Sequence, residues 1–222
     1  MAASLLSLAA QKHPSDAHFY VADFATPDTA WENLMRDLAG KLPPHKIKIM
    51  DRRGFAKELP ELAAEAKRRA ENPQPNAPAH YLFIQGLHRA RDLRPDEGGG
   101  YGRSVFDEPA KEQSPADAFA TLLREGADSG IHILAWCDTV ANASRMIGRQ
   151  MREFSYRIAG AMSNDDSRAL IEDAAASKIK PHRAVLYDEE RPGYLEAFRP
   201  FDIPEAAFVE RVMTALRTRN SL

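Results

Sequence analysis

HYLFIQGLHRARDL, residues 80–93, decides how this chain is read. Tyr81, Leu82, Phe83 and Ile84 follow one another without a polar break, with Leu87 just beyond. A short apolar run of this kind marks a strand buried on both faces, as in a covered parallel sheet. Such a strand presents its C-terminal residues to ligand, and carboxylates there would organise a metal ion. This one ends in Gln85-Gly86 and then turns basic at His88, Arg89 and Arg91. Either a catalytic strand has lost its acids, or it never carried them.

Outward from that strand, apolar runs alternate with helical patterns. Leu5, Leu6 and Leu8 predict a helix over 2–12, ended by Gln11, Lys12, His13 and the breaker Pro14. A strand is expected at about 18–24, HFYVADF. Thr26 is expected to cap a helix with Pro27 in first position and with Trp31, Leu34, Met35, Leu38 and Leu42 at helical spacing, stopped by Pro43-Pro44. A strand at 46–50 precedes a helix through Leu59, Leu62, Ala63 and Ala66. Pro60 is expected in its first turn, because deeper in it would break the hydrogen bonding.

A polar excursion, about 88–113, contains DEGGGYGRS. Ser114-Pro115 opens a helix with Phe119, Leu122 and Leu123 inward, followed by a strand at 131–136 and a helix near 140–150. A strand at 154–159 leads to a helix capped by Ser163 or Asn164 and carrying Leu170 and Ile171. Strands at 184–187 and 194–198 and a last helix, about 204–217, complete the chain, and no internal repeat is visible. The pattern is that of an α/β domain with a mostly parallel sheet covered on both faces. Ligands in such sheets sit at the carboxyl ends of the strands, which singles out Asp23, Asp51, Gln85, Cys137 with Asp138, and Met162 with Ser163.

The 222 residues suit one domain, and 44% hydrophobic with 28% charged residues is ordinary for a globular protein. A net charge of −2 announces no overall basic field, although local patches remain open. The single cysteine, Cys137, excludes an internal disulfide and fits a reducing, cytoplasmic setting. No run of about 18 apolar residues offers a membrane span. MAASLLSLAA lacks a basic n-region and is short and amphipathic, so it reads as helix rather than signal peptide.

The chemistry-bearing candidates each have a plain rival reading. A phosphate-binding loop needs G-x-x-x-x-G-K-[ST], but Gly102-Arg103-Ser104 has arginine for lysine and Glu97 where the first glycine belongs, which favours a surface loop. Asp23 would contact a nucleotide or metal, cap the next helix, or end its strand. Asp138 and Thr139 would bind an anion at a helix start or simply cap it. Cys137 has no readable His/Asn arrangement around it, so a half-buried structural thiol is favoured over a nucleophile. His132 between Ile131 and Ile133 reads as a core or interface histidine. The seven histidines show no H-x-x-x-H and the chain no C-x-x-C, so no zinc is expected. Arg89, Arg91 and Arg94 form a basic run, and Arg145, Arg149 and Arg152, spaced four then three, are expected on one helix face. These are solvated faces, phosphate contacts or fingers into a neighbouring subunit.

Taken in order, several segments resemble the motor domain of the FtsK/SpoIIIE family of DNA translocases. LLREGADSGIHILAWCDT, residues 122–139, is similar to a helix end that enters a core strand with a polar sensor at its tip. SNDDSRALIEDAAASKI, 163–179, resembles the family's Asp-Ser-Arg segment, with Asp166, Ser167 and Arg168 carrying the match. RAVLY, 183–187, resembles the closing strand, and SDAHFYVADF, 15–24, the strand whose aspartate matches Asp23. Order and spacing agree from residue 2 to about 200.

The resemblance implies a three-layer RecA-like P-loop NTPase core that, in relatives, forms a ring around double-stranded DNA and hydrolyses ATP with Mg2+. Two departures stand out. The family's P-loop would precede the helix at 2–12, so the domain, 1–222, is expected to be truncated at its N-terminus. The family's metal-managing acids would follow 81–84, where Gln85-Gly86 stand. The expectation is a degenerate, non-hydrolysing part of a DNA-translocase assembly. The alternatives are the C-terminal part of an active translocase whose P-loop lies upstream of Met1, and a protein-interaction module docking through 88–113. Residual nucleotide binding would fall to Asp23, Gln85, Asp138 and Thr139. Phosphate or subunit contacts would fall to Arg89, Arg145, Arg149 and Arg168. ATP and Mg2+ are expected only in a longer or oligomeric form, with duplex DNA and a homo- or hetero-oligomeric ring as partners and no membrane contact.

Overall fold

The computed structural model describes residues 1–94, apart from Thr26, Ala30, Pro43 and Pro44, and residues 113–219. Four strands, β1 (Ala17–Asp23), β2 (Lys46–Met50), β3 (Ala79–Gln85) and β4 (Ile131–Trp136), form an all-parallel sheet in the order β2-β1-β3-β4. The apolar run that opened the sequence is β3. It lies between β1 and β4 and is buried from His80 to Gln85, because helices cover both of its faces.

The two-residue side-chain period of the strands sorts the core into two layers. Phe19, Val21, Tyr81 and Phe83 point to one side, against Leu5 of α1 (Ala2–Gln11), Met35 of α2 (Leu34–Lys41) and Met213 of α7 (Ala206–Arg219). Ala22, Leu82 and Ile84 point to the other. They meet Phe55 and Leu59 of α3 (Arg52–Glu71), Phe119 and Leu122 of α4 (Pro115–Glu125) and Met146 of α5 (Val140–Ile147). This is the three-layer α/β architecture expected from the sequence. A separate antiparallel sheet, β5 (Tyr156–Ala159), β6 (Ala184–Asp188) and β7 (Leu195–Phe198), is covered by α6 (Asn164–Ile171), whose Ile171 packs with Ala159 and Val185. Buried Arg157 braces it, donating to the Phe154 and Leu170 carbonyls and pairing with Glu189.

Several boundaries differ from the sequence reading for identifiable reasons. The expected helix from Pro27 begins only at Leu34, preceded by Asn33 at φ 56°, and Trp31 is exposed rather than inward. Thr26, the expected cap, lies outside the described residues. Pro60 sits inside α3 rather than in its first turn, because Asp51 caps the helix nine residues before it, accepting from Gly54 N at 2.7 Å. Burial of Phe55, Leu59 and Leu62 holds α3 together across the hydrogen bond that proline cannot donate. α5 stops at Ile147, since Gly148 takes φ 51° and a 3-10 segment follows to Glu153. Arg145 therefore shares no helix face with Arg149 and Arg152. The first part of the expected excursion is core: two 3-10 turns, Leu87–Arg89 and Arg91–Leu93, bury Leu87, Ala90 and Leu93. DEGGGYGRS lies outside the described residues. Among those described, no helix is long and apolar enough to cross a membrane.

Candidate functional site

The two ends of the parallel sheet are built differently. At the N-terminal end, buried Arg69 donates to Glu65 at 2.6 Å, to the Pro78 and Ser129 carbonyls at 3.0 and 3.1 Å, and to His80 Nε2 at 3.0 Å. This ties α3, the start of β3 and the turn before β4 into one network, with only His80 Nδ1 left unpartnered. Burial first, then the charges of Arg69 and His18, lower His80 to about 4, so its imidazole is neutral.

The C-terminal end is open and cationic. Phe24 and Ala25 after β1, Arg52 at the start of α3, and His88, Arg89, Arg91 and Arg94 after β3 surround a hollow of about 450 Å³. Arg89 donates to the Ala25 carbonyl at 3.1 Å, and Arg52 makes a forked pair with Asp92 at 2.8 and 3.2 Å. Among the described residues, Arg91 and Arg94 have no acidic partner. The hollow thus offers guanidinium donors suited to phosphate or carboxylate oxygens.

The two residues in place of acids are fixed for different reasons. Gly86 takes φ 87°, and a Cβ there would lie 2.8 Å from the Phe24 carbonyl oxygen, so only glycine fits. Gln85 is buried, and its Oε1 has no hydrogen-bond partner. β3 therefore brings an amide, not a charge, to its C-terminal end.

Asp23 serves α2. Its Oδ2 accepts from Met35 N and Arg36 N at 3.1 and 3.2 Å, and its Oδ1 from Ala25 N at 3.1 Å. That explains why α2 starts where it does: the carboxylate supplies acceptors for the helix's first N–H groups. Thr139 caps α5, accepting from Asn142 N at 3.1 Å, while Asp138 accepts from Thr139 N at 2.8 Å and from the Asn142 amide at 2.9 and 3.0 Å. Burial alone would raise the Asp138 carboxyl, but Asn142, His88 and the Thr139 N–H hold it below the usual value. Burial, and then the Asp138 charge, raise the Cys137 thiol. Arg145 donates to Asn142 at 3.0 Å, whereas Arg149 and Arg168 are exposed and line neither the hollow nor the groove between β4 and β5. In the Asp-Ser-Arg segment, Asp166 exchanges hydrogen bonds with the cap Ser163, and buried Ser167 donates to the Asp173 carbonyl and accepts from Ala176 N.

A second groove, also about 450 Å³, runs between β4 and β5 and is lined by Trp136, Tyr156 and Ile158, which are 42%, 58% and 60% exposed. Among the described residues each of these strands is paired on one edge only. Sequence reasoning noted the arginine run but missed Arg52 and Arg69. The Glu65/Arg69 spacing of four is a helix-surface signal, and nothing local shows that it is buried.

No protein-family model matches the chain, and no curated protein matches it. Solved structures do. The pCW3 conjugation coupling protein TcpA, in its monomer form with ATPγS, matches at a TM-score of 0.61 and 13% identity, over 95% of this chain and 59% of that one. The shared fold is a RecA-like three-layer α/β core. The chain spans 59% of that neighbour's length, and at this identity the likeness speaks for fold, not activity. The genome packaging NTPase B204 from Sulfolobus turreted icosahedral virus 2, in complex with AMPPCP, matches at a TM-score of 0.46 and 14% identity, over 88% of this chain and 86% of that one.

Proposed function

We propose that the chain is a non-hydrolysing, FtsK/SpoIIIE-like motor-domain module that engages phosphate groups, of nucleotide or duplex DNA, within a DNA-translocase assembly. The observation that carries this reading is the C-terminal end of β3, where Gln85-Gly86 meet an arginine-lined hollow instead of carboxylates. Guanidinium groups hold phosphate oxygens without a metal, but they do not activate water. The ordered sequence resemblance and the RecA-like fold support the kinship. Loss of a charge-stabilising group of this sort typically costs a motor about 10²–10³ in rate.

The test has two arms. Anisotropy of a labelled DNA duplex is expected to show weak binding that falls steeply between about 50 and 200 mM salt. ATP turnover by the same preparation is expected to stay at background. Salt-insensitive DNA binding, or turnover that disappears with Arg91→Ala, would sink the proposal.

One observation favours a second reading, the C-terminal part of an active translocase. The groove lies between β4 and β5, each of which, among the described residues, is paired along one edge only. The resemblance would place a P-loop segment upstream of Met1, and such a segment could pair with a free edge. Turnover in an upstream-extended chain, absent from residues 1–222, would favour it.

A further inference from the structure

Three donor side chains converge beside the cationic hollow without any sequence spacing to announce them. His88 follows β3, while Cys137 and Asp138 follow β4, and one ligand-type atom from each lies within 4.8 Å of the others. Strand pairing makes the group: Gln85 sits beside Trp136 in the β3–β4 register, so the residues just after both strands meet.

Two of the three ligand–ligand distances match the edges of a coordination polyhedron, and the third, between His88 and Cys137, is at most 4.8 Å. His88 Nδ1 lies 3.4 Å from Asp138 Oδ1, and Cys137 Sγ lies 3.7 Å from the same oxygen. In a tetrahedron built on ordinary zinc–ligand bond lengths, the N···O edge is about 3.4 Å and the S···O edge about 3.6 Å. His88 Nδ1 is buried and has no hydrogen-bond partner, so a coordinating nitrogen is left unused by the protein. The Trp136 ring meets the imidazole edge-on at 6.0 Å, and the Asn142 amide and Thr139 N–H hold the carboxylate. These are the outer supports that orient metal ligands.

We infer that His88, Cys137 and Asp138 form a binding site for a borderline transition-metal ion, Zn2+ by ligand chemistry. Nitrogen, sulfur and one carboxylate oxygen exclude the hard all-oxygen shell of Mg2+. On binding, the Cys137 S–H proton passes to solvent, and the weak thiol contact to Asp138 becomes thiolate–metal–carboxylate. Thiolate and carboxylate then balance the dication. Three protein ligands leave a fourth position for water or a ligand donor, as in open zinc sites, and Cys137 and Asp138 line the groove between β4 and β5. The site is independent of the translocase reading.

The test uses Co2+ as a spectroscopic probe on the whole chain, with Zn2+ as competitor. Because the chain has one cysteine, a thiolate-to-cobalt charge-transfer band can come only from Cys137. The expected result is a band saturating at one Co2+ per chain and displaced by Zn2+. It is lost in Cys137→Ser, and Co2+ affinity falls at least about tenfold in both His88→Gln and Asp138→Asn, the size that outer-shell losses already reach. Far-ultraviolet circular dichroism checks that each variant is folded, and the wild-type band stands without them. Absence of the band, one Co2+ per two chains, or unchanged affinity in either ligand variant would overturn the site.

Discussion

The N-terminal and C-terminal ends of the same four-stranded sheet contrast in how their polar groups are satisfied. At the first, one buried guanidinium, Arg69, closes a network with a carboxylate, two carbonyls and a neutral imidazole. At the second, several arginines surround open space, a buried amide oxygen on Gln85 lacks a partner, and a histidine nitrogen faces a thiol and a carboxylate. Stability is concentrated where polar groups are spent on one another, and binding capacity where they are not.

The strongest way to break the comparison is at its rigid end. Arg69→Ala would leave the Pro78 and Ser129 carbonyls and His80 Nε2 without their donor, while Glu65 keeps Arg68, and is expected to destabilise the fold by about 3 kcal/mol or more in urea titrations. An unchanged midpoint would mean the network is decorative.

His80 gives that end a pH signature. Its folded value of about 4 lies below the ordinary imidazole value, so between about 6.5 and 4 the unfolded chain binds the extra proton. Its contribution is fully present above about 6.5 and falls by up to ~3 kcal/mol as the pH drops towards 4. His80→Gln is expected to flatten that part of the stability–pH curve, and an identical slope in the variant would contradict the assignment.

Asp23 sits at the open end yet serves the fold. Asp23→Ala removes acceptors for three backbone N–H groups, and a loss of about 1–2 kcal/mol is expected in thermal or chemical unfolding. A variant that loses nucleotide affinity while keeping full stability would return Asp23 to the binding site. The smallest stability effect is expected at Arg91→Ala and Arg94→Ala, within about 0.5 kcal/mol, because these side chains are exposed. Their effect should appear instead as weaker DNA binding, with the salt slope reduced by about 1 for each phosphate contact removed.

The layers of this fold were legible because period and burial agree. β2 and β4 fall on the expected residues, and the run 81–84 could only be a central strand. Local capping was less legible. Asp23 sets the start of α2 from across a loop, and Asp51 fixes α3 so early that Pro60 falls inside it. The separate antiparallel sheet was also hidden, since strand order depends on contacts between segments rather than on any one segment. At the candidate site, Arg89, Asp138 and Thr139 were nameable because strand ends are nameable. Arg52 came from a helix start, and the meeting of His88 with Cys137 came from β3–β4 register, which no single stretch of sequence encodes.

Calorimetry of ATPγS binding, with and without Mg2+, on the chain and on the Arg91→Ala/Arg94→Ala double variant tests the central claim most directly. The account expects binding of similar strength with and without Mg2+, lost or much weakened in the double variant. No binding in either condition would restrict the phosphate-engaging role to duplex DNA, and Mg2+-dependent binding that survives the loss of both arginines would contradict the account.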